Sequence, residues 1–183
     1  MEVKDFIWDL DIVSWSYNEK NIKIQFSNIN FANVDSVKNY VYIVCGENFS
    51  EDQVYYLSFE GKQIFAYDKK SGKISWDYKD RLVEINCKNI TSAKLESKDG
   101  IVLVISGSQN SNEKLLGFTL DGIQLFEKAP PKGYHFLYFS SVSNRLSIVC
   151  EGGKDQADAY GRNNWHFVID TKIGEMVKSN LAY

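Results

Sequence analysis

The sequence predicts an all-β, antiparallel fold of short strands, and three observations predict it. Ile and Val together number 30 against 7 Ala, a bias towards β-branched side chains that suit a pleated, half-buried surface. Aromatic residues reach 14% of the chain, with 11 Tyr, 11 Phe and 4 Trp. Apolar runs of strand length, each ended by Gly, Asn or Asp, recur throughout, while helical periodicity is weak. The two prolines fall together at Pro130-Pro131, outside these runs.

The runs are predicted as strands in chain order. The first is at 22–26. Residues 28–38 are the single helix candidate, with poor caps. A strand at 40–46 (YVYIVCG) leads through a polar loop to 54–65 (VYYLSFEGKQIF), which Glu60-Gly61 folds into a hairpin. Strands follow at 74–78, 82–87 and 93–97. Residues 101–107 (IVLVISG) lead through a second polar loop to 115–126 (LLGFTLDGIQLF), where Asp121-Gly122 is a strong hairpin signal. The last strands are at 134–140, 145–153 (RLSIVCEGG) and 165–177 (WHFVIDTKIGEMV).

Two of these stretches repeat. Gly46 to Gly61 and Gly107 to Gly122 are both 15 apart, and FEGKQIF matches LDGIQLF in type at most positions. This sets a period of 61. A second register competes with it, because Gly72, Gly122 and Gly174 are 50 and 52 apart, within the range of propeller blades. Tyr67-Asp68 followed by Ser71-Gly72-Lys73 and Trp76 resembles the blade motif of pyrroloquinoline-quinone-type β-propellers. Asp170 to Gly174 matches it in part, and Asp121-Gly122 less. The resemblance implies propeller-like blades; no residue can be matched to a quinone site, and no cofactor is expected. The expectation is one domain, 1–183, holding a partial, about three-blade propeller-like arrangement with units at 39–86, 93–140 and 145–178. A closed propeller needs typically four or more blades, so three leave edges and faces that a partner would cover. A compact sandwich or barrel closed by strands from the first 35 residues is the alternative.

Charge narrows the function classes. Lys+Arg 21 against Asp+Glu 24 gives a net charge of −3, which argues against nucleic acid as partner. No segment has the run of about 18 apolar residues that a membrane helix needs, and the first ten residues carry acids where a signal peptide would be apolar. Cys45, Cys87 and Cys150 show no metal spacing and read as reduced core thiols, so a cytoplasmic location is expected. His135 and His166 sit among aromatic residues and read as strand positions. No nucleophile elbow, phosphate loop or zinc helix is present, and a non-enzymatic role is expected. Asp52, Asp155 and Asp158 are carboxylates that calcium could use, but their spacing fits no calcium loop.

The loops after the three Gly-ended strands occupy equivalent places in the repeat. They span 47–53, 108–114 and 151–164, with formal charges of −3, 0 and −1, so this edge gathers the negative excess. The candidate partner-binding residues are Glu47, Glu51, Asp52, Glu113, Glu151, Asp155 and Asp158, with Tyr160 and Trp165 as aromatic anchors. A small acidic all-β chain of this profile is similar to the immunity proteins of bacterial contact-dependent growth inhibition and polymorphic-toxin systems. That resemblance implies a monomer that occludes the active site of one basic toxin domain, such as a nuclease. The alternatives are a scaffold that completes its blades by homodimerising, and a small-ligand module that stacks sugars on Trp76 and Trp165.

Overall fold

The structure is a computed structural model that describes residues 2–108 and 112–182. Its strands are short and antiparallel, and each sheet takes them in chain order. The chain divides into two compact units, residues 1–86 and 87–183.

The first unit holds two sheets. One is three-stranded: β1 (Lys4–Trp8), β2 (Ile12–Tyr17) and β3 (Lys20–Gln25). The other is a six-stranded meander: β4 (Ile29–Asp35), β5 (Tyr40–Cys45), β6 (Gln53–Leu57), β7 (Gln63–Asp68), β8 (Lys73–Tyr78) and β9 (Arg81–Asn86). Val13 and Trp15 from the small sheet pack with Ile29, Ala32, Val41, Ile43, Cys45, Leu57 and Phe59.

The second unit holds two four-stranded meanders. They are β10 (Ile90–Glu96), β11 (Ile101–Ser106), β12 (Lys114–Thr119) and β13 (Gln124–Lys128), then β14 (Tyr134–Val142), β15 (Arg145–Gly152), β16 (Asn164–Ile169) and β17 (Met176–Leu181). Their shared core runs from Ile101, Leu103, Leu115 and Phe126 to Phe136, Ile148, Cys150 and Phe167. Four strands is the count of a propeller blade; the three- and six-stranded sheets of the first unit depart from it.

Two expectations change. Residues 28–38 are strand β4 and the turn after it, not a helix. The register of β4 on β5 shifts between Ile29 and Phe31, so the buried Ile29 and Ala32 fall three apart. A bulge thereby imitates helical spacing. Segment 134–140, expected to end the second repeat unit, instead opens the last sheet by pairing Phe136 with Cys150. Pro130-Pro131 separates it from β13, since proline cannot donate to a ladder.

The 61-residue register is the one the structure follows. Each strand from β2 to β7 begins 61 residues before its counterpart from β8 to β13: Ile12 and Lys73, Lys20 and Arg81, Ile29 and Ile90, Tyr40 and Ile101, Gln53 and Lys114, Gln63 and Gln124. The duplicated element is therefore a hairpin plus a four-stranded meander. Backbone detail repeats with it. Asn28 and Asn89 take φ of 57 and 55, and their carbonyls accept from Gly46 and Gly107. Asn18-Glu19 and Lys79-Asp80 both have positive φ at two successive positions, as a tight type I′ hairpin turn requires.

Turn chemistry separates the two competing registers. At Gly61 and Gly122 the glycine N–H donates to the carbonyl three residues back, Ser58 or Thr119. The hydroxyl of that same residue accepts from the N–H after the glycine. At Gly72 and Gly174 the glycine instead donates four residues back, to Asp68 or Asp170, and the aspartate carboxylate accepts from Lys70 or Lys172. A period near 50 joins two different turns.

Candidate functional site

On β4, β5 and β6 the outward row of the first unit is aromatic and polar. Antiparallel register sets Asn33 opposite Tyr42 and Asp35 opposite Tyr40, then Tyr42 opposite Tyr56. These five residues line an open concavity of about 200 Å³. Tyr56 forms its floor. The Tyr40 ring meets Tyr56 edge-on, with centroids 4.8 Å apart at 82°, and Tyr42 meets it at 5.1 Å and 60°. Tyr56 in turn rests on Phe65 at 5.4 Å, which is fully buried. Phe31, half exposed, extends the wall beside Tyr42.

Acids flank this cup. Asp35 at its mouth accepts from the Val37 and Lys38 N–H groups through Oδ1, which leaves Oδ2 facing the Lys38 ammonium at 3.6 Å. That ammonium also lies 5.9 Å from the Tyr40 ring centroid. Burial raises the Tyr42 phenol above its ordinary value, and the Glu51 carboxylate raises it further. Burial raises Tyr56 more strongly, helped by Tyr67, Tyr42, Tyr40 and Asp35. The Tyr42 and Tyr56 phenols therefore stay neutral at physiological pH.

The duplicated framework shows that the fold does not require these tyrosines. Sixty-one residues on, Tyr40, Tyr42 and Tyr56 become Ile101, Leu103 and Gly117. Ile101 and Leu103 are buried in the core of the second unit. Gly117 lets the Phe126 ring lie where its Cβ would be, 2.4 Å from Cζ. One copy of the face is packed shut, and the other is an open tyrosine cup.

The sequence-predicted residues have varied surroundings. Glu47, Glu51 and Asp52 share one loop of the first unit. Glu47 and Glu51 are exposed. Lys69 stands 3.8 Å from Glu51 and Lys70 2.8 Å from Asp52, and Ser50 Oγ also donates to Asp52. Lys70 and Ser50 hold the Asp52 carboxyl below the usual carboxylate range. The loop is shaped by Gly46, where a Cβ would meet Ser50 Oγ at 2.3 Å, and by Asn30, whose amide donates to the Gly46 and Ser50 carbonyls.

In the second unit, residues 109–111 of the 108–114 loop lie outside the described residues. Glu113 is turned inward, 7% exposed, and accepts from the Phe136 N–H at 3.1 Å beside His135 Nδ1 at 3.4 Å. It pins β14 rather than lining a rim. Glu151 is a strand residue of β15, half buried. Asp155 is exposed on the turn Lys154–Gln156. Asp158 clasps Arg162 at 2.6 Å, which lowers its carboxyl pKa. Tyr160 is 85% exposed and stacks on the Arg162 guanidinium at 5.2 Å. Trp165 donates to the Gln156 carbonyl at 3.1 Å and carries Lys178 over its ring at 3.7 Å.

Other candidates lose their chemistry. Trp76 is completely buried and offers no stacking surface to a sugar. Ser147 lies 3.0 Å from His166 Nδ1, but the serine has no exposed surface, so no substrate reaches its hydroxyl. Among the described residues no three His, Cys, Asp or Glu side chains gather as metal ligands, and no helix is long and apolar enough to cross a membrane. Cys45, Cys87 and Cys150 are free and buried. The chain matches no model of a known protein family, and a comparison with curated proteins finds no match either.

The residues that sequence reasoning missed are Asn33, Asp35, Tyr40, Tyr42 and Tyr56. The signal was present in the alternation of YVYIV, which puts Tyr40 and Tyr42 on one face, and in the loss of tyrosine at the repeated positions.

Proposed function

We propose that this chain is a non-enzymatic protein-binding protein of the toxin-neutralising kind, which covers the active site of a basic partner domain. The observation that carries this reading is the half-exposed tyrosine cup beside the 47–53 loop, flanked by Asp35 and Glu51. Tyrosine is enriched among the few residues that dominate binding energy, because it contributes large area with little entropy to lose. Exposed carboxylates around such a centre steer a basic partner and raise its association rate.

The predicted acids differ in exposure. Glu113 faces inward, and Asp52 and Asp158 belong to turns. Glu47 and Glu51 are exposed on the first unit, and Asp155 and Tyr160 are exposed on the second.

The test is to sequence the genes that neighbour this one and to co-express the chain with any toxin-like domain they encode. Restored growth together with a 1:1 complex by light scattering is the expected result. Unrestored growth and no complex would overturn the reading. A second reading, the homodimeric scaffold, draws support from Ile123, Leu125, Ile173 and Val177, four half- to well-exposed apolar side chains of the second unit. A stable dimer of the isolated chain at micromolar concentration would favour it.

A further inference from the structure

The cup has the features of a receptor for one cationic group. Its rings stand at 60° and 82° to Tyr56, so they form walls rather than a flat stack, and its volume of about 200 Å³ admits one guanidinium with part of its stem. A cation over a tyrosine face is attracted by the negative face of the ring. Arginine suits such a place better than lysine, because its planar, weakly hydrated group stacks on rings and forks to a carboxylate.

The protein already holds a cation at this mouth. Lys38 reaches both Asp35 Oδ2 and the Tyr40 ring from the turn after β4. Its side chain is 57% exposed, so it can swing away at little cost. Asp35 has a divided role that makes it testable. Oδ1 caps the turn, whereas Oδ2 faces the cation. At the repeated positions the ring walls are replaced by Ile101, Leu103 and Gly117, so the second copy provides an internal comparison without a cup.

We propose that the concavity formed by Tyr40, Tyr42, Tyr56 and Asp35 binds the guanidinium of an arginine side chain on the partner protein, with Lys38 as the displaceable occupant of the free state. This rests on the partner-binding reading and assigns that site its ligand chemistry. Asp35 Oδ2 takes the ion pair, the Tyr40 and Tyr42 rings enclose the group, and Asn33 offers an amide at the strand opposite Tyr42.

The experiment is an NMR titration of the intact chain with N-acetyl-arginine amide, followed on the tyrosine ring resonances. Saturable shifts of Tyr40, Tyr42 and Tyr56 at millimolar probe are expected, and isosteric, neutral N-acetyl-citrulline amide is expected to leave them in place. Asp35→Asn keeps an oxygen for the turn N–H groups and removes the charge, so it should weaken the probe about fivefold while the folded spectrum persists. Lys38→Ala should tighten binding about twofold. Absent shifts, an equal response to citrulline, or tighter binding of N-acetyl-lysine amide would each overturn the assignment. So would the same resonances moving on dilution alone, which would place a second copy in the cup. Growth rescue without probe binding would overturn only the cup's ligand. Probe binding without rescue would overturn only toxin neutralisation.

Discussion

The indole N–H of Trp15 donates to the backbone carbonyl of Phe59 across 2.7 Å, 44 residues away and out of contact with water. This bond ties the three-stranded sheet to the turn between β6 and β7. Gly61 in the same turn presses on that sheet as well: its φ is +86, and a Cβ there would stand 2.9 Å from Ile22 Cγ2. Trp15→Phe removes the donor and leaves a buried carbonyl unpaired, which costs about 1–3 kcal/mol. Urea denaturation should show a lower midpoint with an unchanged slope. An unchanged midpoint would mean that the carbonyl finds another partner.

The glycines allow a sharper comparison. Gly117 has ordinary backbone conformation, but a Cβ there would meet three atoms of the Phe126 ring at 2.4–2.8 Å. Gly174 also lies against this ring, and a Cβ there would approach it to 2.5 Å. With no room to give, Gly117→Ala should cost about 1–3 kcal/mol by overpacking. Gly153, whose φ is −68, has nothing within 4 Å of an added Cβ. Gly153→Ala should therefore be neutral or stabilise by up to about 1 kcal/mol, by restricting the unfolded chain. Paired thermal melts decide, and a larger loss at 153 than at 117 would contradict the packing argument.

The fold was legible in the sequence wherever a strand alternates cleanly between water and core. Ile22, Ile24 and Phe26, or the run 101–106, announce themselves by composition and period. It was misread at 28–38, where a bulge gives β4 helical spacing, although the bulged β10 and β14 were still legible as strands at 93–97 and 134–140. Ile29 and Ala32, Ile90 and Ala93, and Phe136 and Phe139 each fall three apart because the register slips once within the strand. The repeat was half visible. Gly46 and Gly107 disclosed it, but Trp15 with Trp76 and Asn28 with Asn89 extend it over six strands. The candidate site was harder, because formal charge in a loop says nothing about local pairing. Asp52 and Asp158 are acids in sequence and turn clasps in structure, and Glu113 is buried beneath His135.

The thiols give the chain an alkaline limit. Burial, with a smaller contribution from the Glu113 carboxylate, pushes Cys150 up to about 12, and burial pushes Cys45 up to about 11. An unfolded thiol loses its proton near 9, so above that pH the unfolded state binds fewer protons than the folded one. Stability is thus complete below pH 9 and falls as pH rises towards 12, by up to about 1.4 kcal/mol per pH unit for each such thiol. Cys150→Ala should flatten the decline in urea midpoint between pH 9 and 11. Native protein at pH 8 should resist thiol reagents and label at all three cysteines once unfolded; rapid native labelling of Cys150 would contradict its burial.

Charge reversal separates steering from turn structure. Asp158 holds the 158–162 turn through its own carboxylate, accepting from the Tyr160 and Arg162 N–H groups at 2.9 Å. Asp158→Lys should therefore disturb that turn whatever the partner does. Glu47 and Glu51 are exposed, and Glu51 makes a long ion pair to Lys69 at 3.8 Å. Reversing both to Lys should leave the melting temperature within about 1 °C, a near-neutral surface change, while converting attraction for a basic partner into repulsion. Association with the proposed basic partner should slow by about tenfold at low salt, and the difference should shrink as ionic strength rises and the Debye length shortens. Dissociation should change less, because exposed rim charges act chiefly on encounter. Stopped-flow or surface-binding kinetics at two salt concentrations read both constants. An unchanged association rate would remove Glu47 and Glu51 from the partner surface and leave the tyrosine cup to be judged by its own titration.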